Sequence, residues 1–355
     1  MVQTKLKKDS DSEYYFYYKN QNREIVPNKD LLVNKEAKKI LDKIYKEHKN
    51  DLPKRFSDNW RCVKLYHQGN NVTQAHSIIL DLDNGAYDIN NSLNHLTGKE
   101  WTKFSCSWFI FNALAKDLKE EREISGDSED HPATFSPTMI EGFVNFFTKE
   151  RMKVLDPFAG IGSSLVACKR TNRIGYGIEL NEKYYQTILK RVPEFKKNVV
   201  NGDSRKIKEF FKDVKFNFCI SSPPYWDILN RSTDGFKDTR EKKGLDVRYS
   251  DKNHDLGNID NYEKFINELA QIYFDIYDLL ENESYIVVVI KNVKKKGVMY
   301  PLAWDLAKKL SEKYTLKDEK LWIQDKIGLS PYGYPHGWSS NILHHYCLIL
   351  KKEDN

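Results

Sequence analysis

Cysteine is scarce and never paired. Cys62, Cys106, Cys168, Cys219 and Cys347 are scattered through 355 residues without a Cys-x-x-Cys spacing. That excludes a disulfide framework and a cysteine zinc site, and it fits reduced thiols in a cytoplasmic setting. No apolar run reaches membrane-spanning length, so no membrane partner is expected. The start, Met1 to Asp11, is lysine-rich without an apolar stretch, so no signal peptide is expected. No internal repeat is visible. Neither Gly-x-Gly-x-x-Gly nor a P-loop lysine occurs. Asp81, Asp83 and Asp88 suggest a calcium loop, but the glycine falls one position early and Ser92 stands where a glutamate is needed. No metal is expected.

What is present describes a folded, polar chain. Hydrophobic residues make up 40% and charged residues 30%, against disorder, and the net charge of +6 fits a polyanionic partner without requiring one. Residues 1–30 are polar around a tyrosine-rich patch, Tyr14 to Tyr18. Val33, Ala37, Ile40, Leu41, Ile44 and Tyr45 recur at helical spacing, with the intervening lysines on a solvated face. Short strands are expected over 60–90. An aromatic stretch from Leu96 through Trp101, Trp108, Phe109 and Phe111 follows. A charged segment, Lys116 to Asp130, reads as a surface helix running into a loop. A domain boundary is therefore expected at 130/131.

Beyond it, strand and helix alternate as in parallel α/β domains. Helices are expected from Met139 to Phe147, Ser163 to Arg170, Glu182 to Arg191, Asp260 to Leu280 and Pro301 to Leu310. Strands are expected at Val154-Leu155, Ile174–Ile178, Val199-Val200, Phe216–Ile220, Tyr285–Ile290 and Tyr346–Leu350. In open α/β sheets ligands sit at the carboxyl ends of the strands. Four consecutive strands end there on Asp156, Glu179, Asp203 and Ser222. Gly160 and Gly162 let the backbone approach a ligand where a loop enters a helix. Glu179, ending the second strand, can accept both hydroxyls of a ribose. Together these favour a nucleoside cofactor without a pyrophosphate.

The corner Ser222-Pro223-Pro224-Tyr225-Trp226 closes the fourth strand. Alone, such a run is a proline-rich turn anchored by two aromatics. Prolines supply no N–H, so the corner presents carbonyl and hydroxyl oxygens beside aromatic faces. That suits a planar ring bearing an exocyclic –NH2.

Asp156 to Gly162, Glu179, Asp203 and Ser222 to Tyr225 together resemble the S-adenosylmethionine-dependent DNA amino-methyltransferases, which methylate cytosine N4 or adenine N6. The resemblance covers 131–226 closely and 260–350 more loosely. It implies a Rossmann-like methyltransferase fold: a mostly parallel seven-stranded sheet with an antiparallel last strand, plus an N-terminal α+β region. It also implies roles. His131, Pro132 and Thr134, in His-Pro-Ala-Thr-Phe, would lie beside the methionine end of S-adenosylmethionine. Asp156, Phe158, Gly160 and Gly162 would hold the methionine part, Glu179 the ribose, and Asp203 the adenine amino group. Ser222, Pro223, Pro224 and Tyr225 would grip a base flipped out of double-stranded DNA. Ser222 favours cytosine N4 over adenine N6. Cytosine C5 methylation needs a nucleophilic cysteine after a proline, and no Pro-Cys occurs. RNA base methylation, and a DNA-binding protein of the same fold without catalysis, are the alternatives.

The cofactor segments already fill the stretch between Gly162 and Ser222, so sequence reading must come from 1–130, from a polar insertion at 227–259, or from the tail after Leu310. The insertion carries Arg240, Lys242 and Lys243, and a second basic cluster includes Lys294 and Lys295. With Trp226, these are the expected DNA contacts. The resemblance further implies a prokaryotic or phage-encoded enzyme of the nucleoid, with a cognate restriction endonuclease as partner.

Overall fold

The computed structural model describes residues 15–19, 25–32, 62–68, 71–81, 85–88, 90–112, 136–226, 256–295 and 297–353, with isolated positions between 39 and 56. The chain forms two compact units, Met1–Ser105 and Cys106–Asn355. In the first, β1 (Tyr15–Lys19) and β2 (Ile25–Leu32) form an antiparallel hairpin. The expected strands of 60–90 are β3 (Cys62–Gln68), β4 (Asn71–Asp81) and β5 (Gly85–Tyr87), one antiparallel sheet. Lys39, Lys43 and Lys46 are helical and exposed, a solvated face as expected. Helix α1 (Gly98–Phe104) starts at a capping box: Thr97 accepts from the Glu100 amide, and Glu100 reaches back to the Thr97 amide.

The second unit is built on one eight-stranded sheet. Its strands are β6 (Trp108–Ile110), β7 (Lys153–Asp156), β8 (Ile174–Glu179), β9 (Val199–Asn201), β10 (Phe216–Ser221), β11 (Leu280–Ile290), β14 (Thr315–Ile323) and β15 (His344–Lys351). They lie in the order β6-β14-β15-β11-β10-β7-β8-β9. Adjacent pairs from β9 to β11 are parallel; β15 is antiparallel to both β11 and β14; β6 is parallel to β14. Seven strands therefore point one way, and β15 alone runs against them. This is the mostly parallel sheet with an antiparallel last strand, enlarged by one. The eighth strand, β6, also corrects the expected 130/131 boundary: Trp108–Ile110 is bonded into this sheet, so the division falls at 105/106.

Helices α2 (Pro137–Phe147), α3 (Ser163–Arg170), α4 (Glu182–Arg191), α5 (Tyr262–Leu279) and α6 (Leu302–Leu310) cover the sheet. Their apolar stripes supply the core: Met139, Ile140, Phe143, Val144 and Phe147 of α2 are all buried. Under α3, Gly175 in β8 has no room for a side chain; a Cβ there would stand 2.7 Å from Leu165 and 3.2 Å from Phe195. A small hairpin, β12 (Val293–Lys295) with β13 (Val298–Tyr300), follows β11. Among the described residues, no helix is long and apolar enough to cross a membrane. The expected helix at Lys116 to Asp130 lies outside the described residues.

Candidate active site at the carboxyl edge of the sheet

The parallel strands bring Asp156, Glu179, Asp203 and Ser222 to one edge, at the ends of β7, β8, β9 and β10. Hydrogen bonds lace the first three strand ends together. The Phe158 amide donates to Asp156 Oδ1 at 3.0 Å, and Ser164 Oγ donates to Asp156 Oδ2. The Gly160 amide donates to Glu179 Oε2 at 2.8 Å, and the Asn181 amide to Oε1 at 2.7 Å. The Gly202 amide donates to the Glu179 carbonyl at 3.0 Å. Ser204 Oγ donates to the Pro157 carbonyl, returning the third loop to the first. The loop after β7 turns on two left-handed glycines, Gly160 (φ 54°) and Gly162 (φ 85°), the second being the N-cap of α3.

Asp156 is buried. Loss of solvent raises its carboxyl pKa from 3.8 to about 6, against the pull of the Ser164 and Phe158 hydrogen bonds. Ser163 Oγ, one residue past Gly162, is buried without a hydrogen-bond partner. A polar ligand against this loop would satisfy it. Both Glu179 oxygens accept from backbone amides, and a carboxylate oxygen can accept more than one hydrogen bond. These are the donor and acceptor properties that the amino-acid and ribose parts of S-adenosylmethionine need, so the residues fit that group.

Asp203 reaches the same edge with a competing partner. Its carboxylate accepts from Arg205 Nε at 3.1 Å and Nη2 at 2.6 Å, and Arg205 also bonds Glu268 of α5 at 3.1 Å. An adenine amino group at Asp203 would share the carboxylate with that guanidinium. The sequence offers no signal for this pair beyond the adjacency of Asp203 and Arg205.

At the corner, Ser221 faces inward, 2.7 Å from the Tyr273 hydroxyl. Ser222 is half-buried, and its hydroxyl lies 3.4 Å from that of Tyr225. Pro223 is buried and Pro224 half-buried. Tyr225 is only 6% exposed, and its ring stands 6.1 Å from that of His345. His345 in turn stacks on Trp322 at 4.4 Å. Burial, with the nearby charges of Lys291 and His344, lowers the His345 pKa to about 3, so the imidazole is neutral. Sequence reasoning missed His345 because its partners, Tyr225 and Trp322, lie on other elements.

Three of the expected DNA contacts, Trp226, Lys294 and Lys295, have partners within the chain. Trp226 is 3% exposed, packed against Tyr262 at 5.0 Å and Tyr300 at 4.7 Å, with its indole N–H donated to the Asp260 carbonyl at 3.2 Å. Lys295 lies over that indole, 4.4 Å from the ring centre. Lys294 donates to Ser339 Oγ at 3.0 Å and to the Ser340 carbonyl and hydroxyl at 2.6 and 3.0 Å. An ammonium has three protons, so these bonds account for all of them. The β12–β13 hairpin brings the two lysines to these partners. His131, Pro132, Thr134, Arg240, Lys242 and Lys243 lie outside the described residues.

Comparison with known proteins adds a family. Residues 4–190 match the family model described as DNA methylase, of N6/N4 type, over half of the chain. The match includes Asp156 to Glu179 and ends before Asp203 and the corner. The type II methyltransferase M.HindIII of Haemophilus influenzae is 34% identical over 119 residues, 33% of this chain and 38% of that protein. The type II methyltransferase M.MjaII of Methanocaldococcus jannaschii is 26% identical over 226 residues, 55% of this chain and 39% of that protein. The chain thus spans under two fifths of the length of these curated relatives. Among solved structures, a methyltransferase from Pyrococcus furiosus is 16% identical, with 67% of this chain and 97% of that one aligned at a TM-score of 0.39.

Proposed function

Because this chain belongs to the DNA methylase family, we propose that it transfers a methyl group from S-adenosylmethionine to the exocyclic amine of a base in double-stranded DNA, cytosine N4 in preference to adenine N6. The single observation that carries the reading is the juxtaposition, on one sheet edge, of the Asp156–Glu179 loop with a half-buried serine hydroxyl and two prolines. S-adenosylmethionine, when bound, supplies an electrophilic sulfonium methyl. Glu179 accepts the ribose hydroxyls, and the Asp156 loop receives the amino-acid part. An amine conjugated to a ring is a poor nucleophile. The Ser222 hydroxyl and the Pro223 carbonyl accept its two N–H bonds and draw the nitrogen toward tetrahedral geometry, so that its lone pair faces the methyl group. A base held this way has left the duplex stack, so base flipping belongs to the reading. Tyr225 lines the base, its ring fixed from behind by His345.

A serine at the head of the corner supports cytosine, and N6-adenine is the second reading. The type II names of the relatives support a role in restriction–modification beside a cognate endonuclease. The test is sequencing of host DNA with modification detection, with and without the expressed gene. N4-methylcytosine at a defined site is the expected result. N6-methyladenine selects the second reading. Unmodified DNA with methylated transfer RNA overturns both.

A further inference from the structure

The stretch between β14 and β15, residues 324–343, leaves the sheet at the same edge as the corner. Ile323 pairs with His344 at the end of the hairpin, and Ile290, the last residue of β11, pairs with Tyr346. The loop carries the most exposed rings among the described residues: Trp338 at 88% and Tyr334 at 81%, with Tyr332 and Leu329 also open. Between Ile327 and Leu343 it has no Lys, Arg, Asp or Glu. Exposed aromatics at this density serve no core.

The loop is nonetheless built. Ser330 and Asn341 exchange two hydrogen bonds, at 3.0 and 2.9 Å, and close its neck. The Gly337 amide returns to the Gly333 carbonyl at 2.6 Å. Gly333 has φ 84°, and a Cβ there would stand 2.8 Å from the Gly337 carbonyl oxygen. Lys294 pins the far side through Ser339 and Ser340. The roots of the loop, Trp322 and His345, are stacked on each other, and His345 faces Tyr225. The rings are therefore presented in a preset arrangement, mechanically joined to the corner. From β10 to β14 is three strand spacings, roughly 14 Å at about 4.8 Å each. At about 3.4 Å per base step, that is roughly four base pairs.

We infer that this loop is a base-stacking element: Trp338 and Tyr334 stack on nucleotides of the DNA a few steps from the base held at Ser222. The inference rests on the proposed reading of the corner and adds to it which surface grips the flanking bases. Flat, uncharged, preordered rings suit base faces bared where the duplex opens around a flipped base, while phosphates call for cations. Lys326, at the loop's base, supplies attraction to a polyanion.

The test uses the full chain and sheared unmethylated genomic duplex. Trp338→Ala should raise the Kd for duplex about five- to a hundredfold, as loss of one stacked ring does, and Tyr334→Ala should do likewise. The salt slope should not change, since no phosphate contact is lost. Affinity for S-adenosylmethionine should match the unaltered chain, which checks the fold. Trp338→Phe should restore most of the affinity and abolish the quenching of tryptophan fluorescence that duplex causes in the unaltered chain. Wild-type affinity in both alanine variants, with no quenching assigned to Trp338, overturns the inference. So does a shift in sedimentation from dimer to monomer with DNA affinity unchanged, which would make the loop a protein interface. If the unaltered chain methylates nothing, the proposed function fails by itself, and duplex affinity and quenching still decide the loop.

Discussion

Asp156 carries a burial cost that can be read by pH. Its folded pKa, about 6, lies above its ordinary 3.8, so between those values the folded chain holds a proton that the unfolded chain has released. Stability from this group is therefore greatest below about pH 4, falls as pH rises to 6, and is flat above. The whole change is worth about 3 kcal/mol at 1.36 kcal/mol per unit. Asp156→Asn keeps an acceptor for the Phe158 amide and should lack that fall when melting temperature is followed against pH. Cofactor affinity should move oppositely in the unaltered chain, rising through pH 6 as the carboxylate forms, and calorimetry at pH 5 and 7 checks it. Glu179→Ala should weaken cofactor binding at least tenfold, because it strands the Gly160 and Asn181 amides as well as the ribose hydroxyls. Ser222→Ala should lower turnover about a hundredfold or more while cofactor affinity holds, since its hydrogen bond matters most as the amine becomes tetrahedral. Single-turnover kinetics would expose an unchanged rate, and with it a corner that is only a turn.

The elements show where sequence periodicity suffices. Helices α3 and α4 begin and end where the pattern put them, because a buried stripe and a flanking strand agree in both, and in α4 an Asn181 cap agrees as well. Strand β14 was not legible. Its middle reads Lys317-Asp318-Glu319-Lys320, a loop by composition. In the fold its first five residues, Thr315 to Glu319, are exposed on both faces, short of the stretch Leu321–Ile323 that β6 covers, and Lys320 runs inward to the Cys106 carbonyl. Three-residue β6 is too short to show a period. The β12–β13 hairpin was hidden in a run of lysines whose stems pack while their charges find partners. At the site, carboxylates at strand ends were legible because topology alone assembles them; Arg205 on Glu268 and His345 beside Tyr225 were not, since side-chain pairing between distant elements leaves no local trace. One element-scale consequence is testable. Gly175→Ala should destabilise the unit by about 1–3 kcal/mol, the usual range for overpacking, because its new methyl meets Leu165 of α3. A denaturant midpoint equal to the unaltered chain's would show that α3 can shift instead.

For the whole molecule, the excess of positive charge, +6, matters through where it is placed. Lys294 and Lys295 are spent internally, which leaves the 227–259 insertion as the basic stretch adjoining the corner in sequence. Reversing Arg240, Lys242 and Lys243 should weaken duplex binding and flatten its salt dependence while cofactor affinity stays put. An unchanged slope in a salt titration would remove the insertion from the DNA. The single reversed strand has a further consequence. Because β15 enters the sheet from the catalytic side, the chain has to pass over that side to reach it, and the crossing is held at its neck, at Lys294 and at its root, where the Lys326 amide donates to Asn112. Its length and composition can drift without touching the core or the cofactor loop. A lineage could thus exchange this one crossing and inherit a different grip on the flanking bases on unchanged chemistry, and a protein engineer could graft there for the same reason.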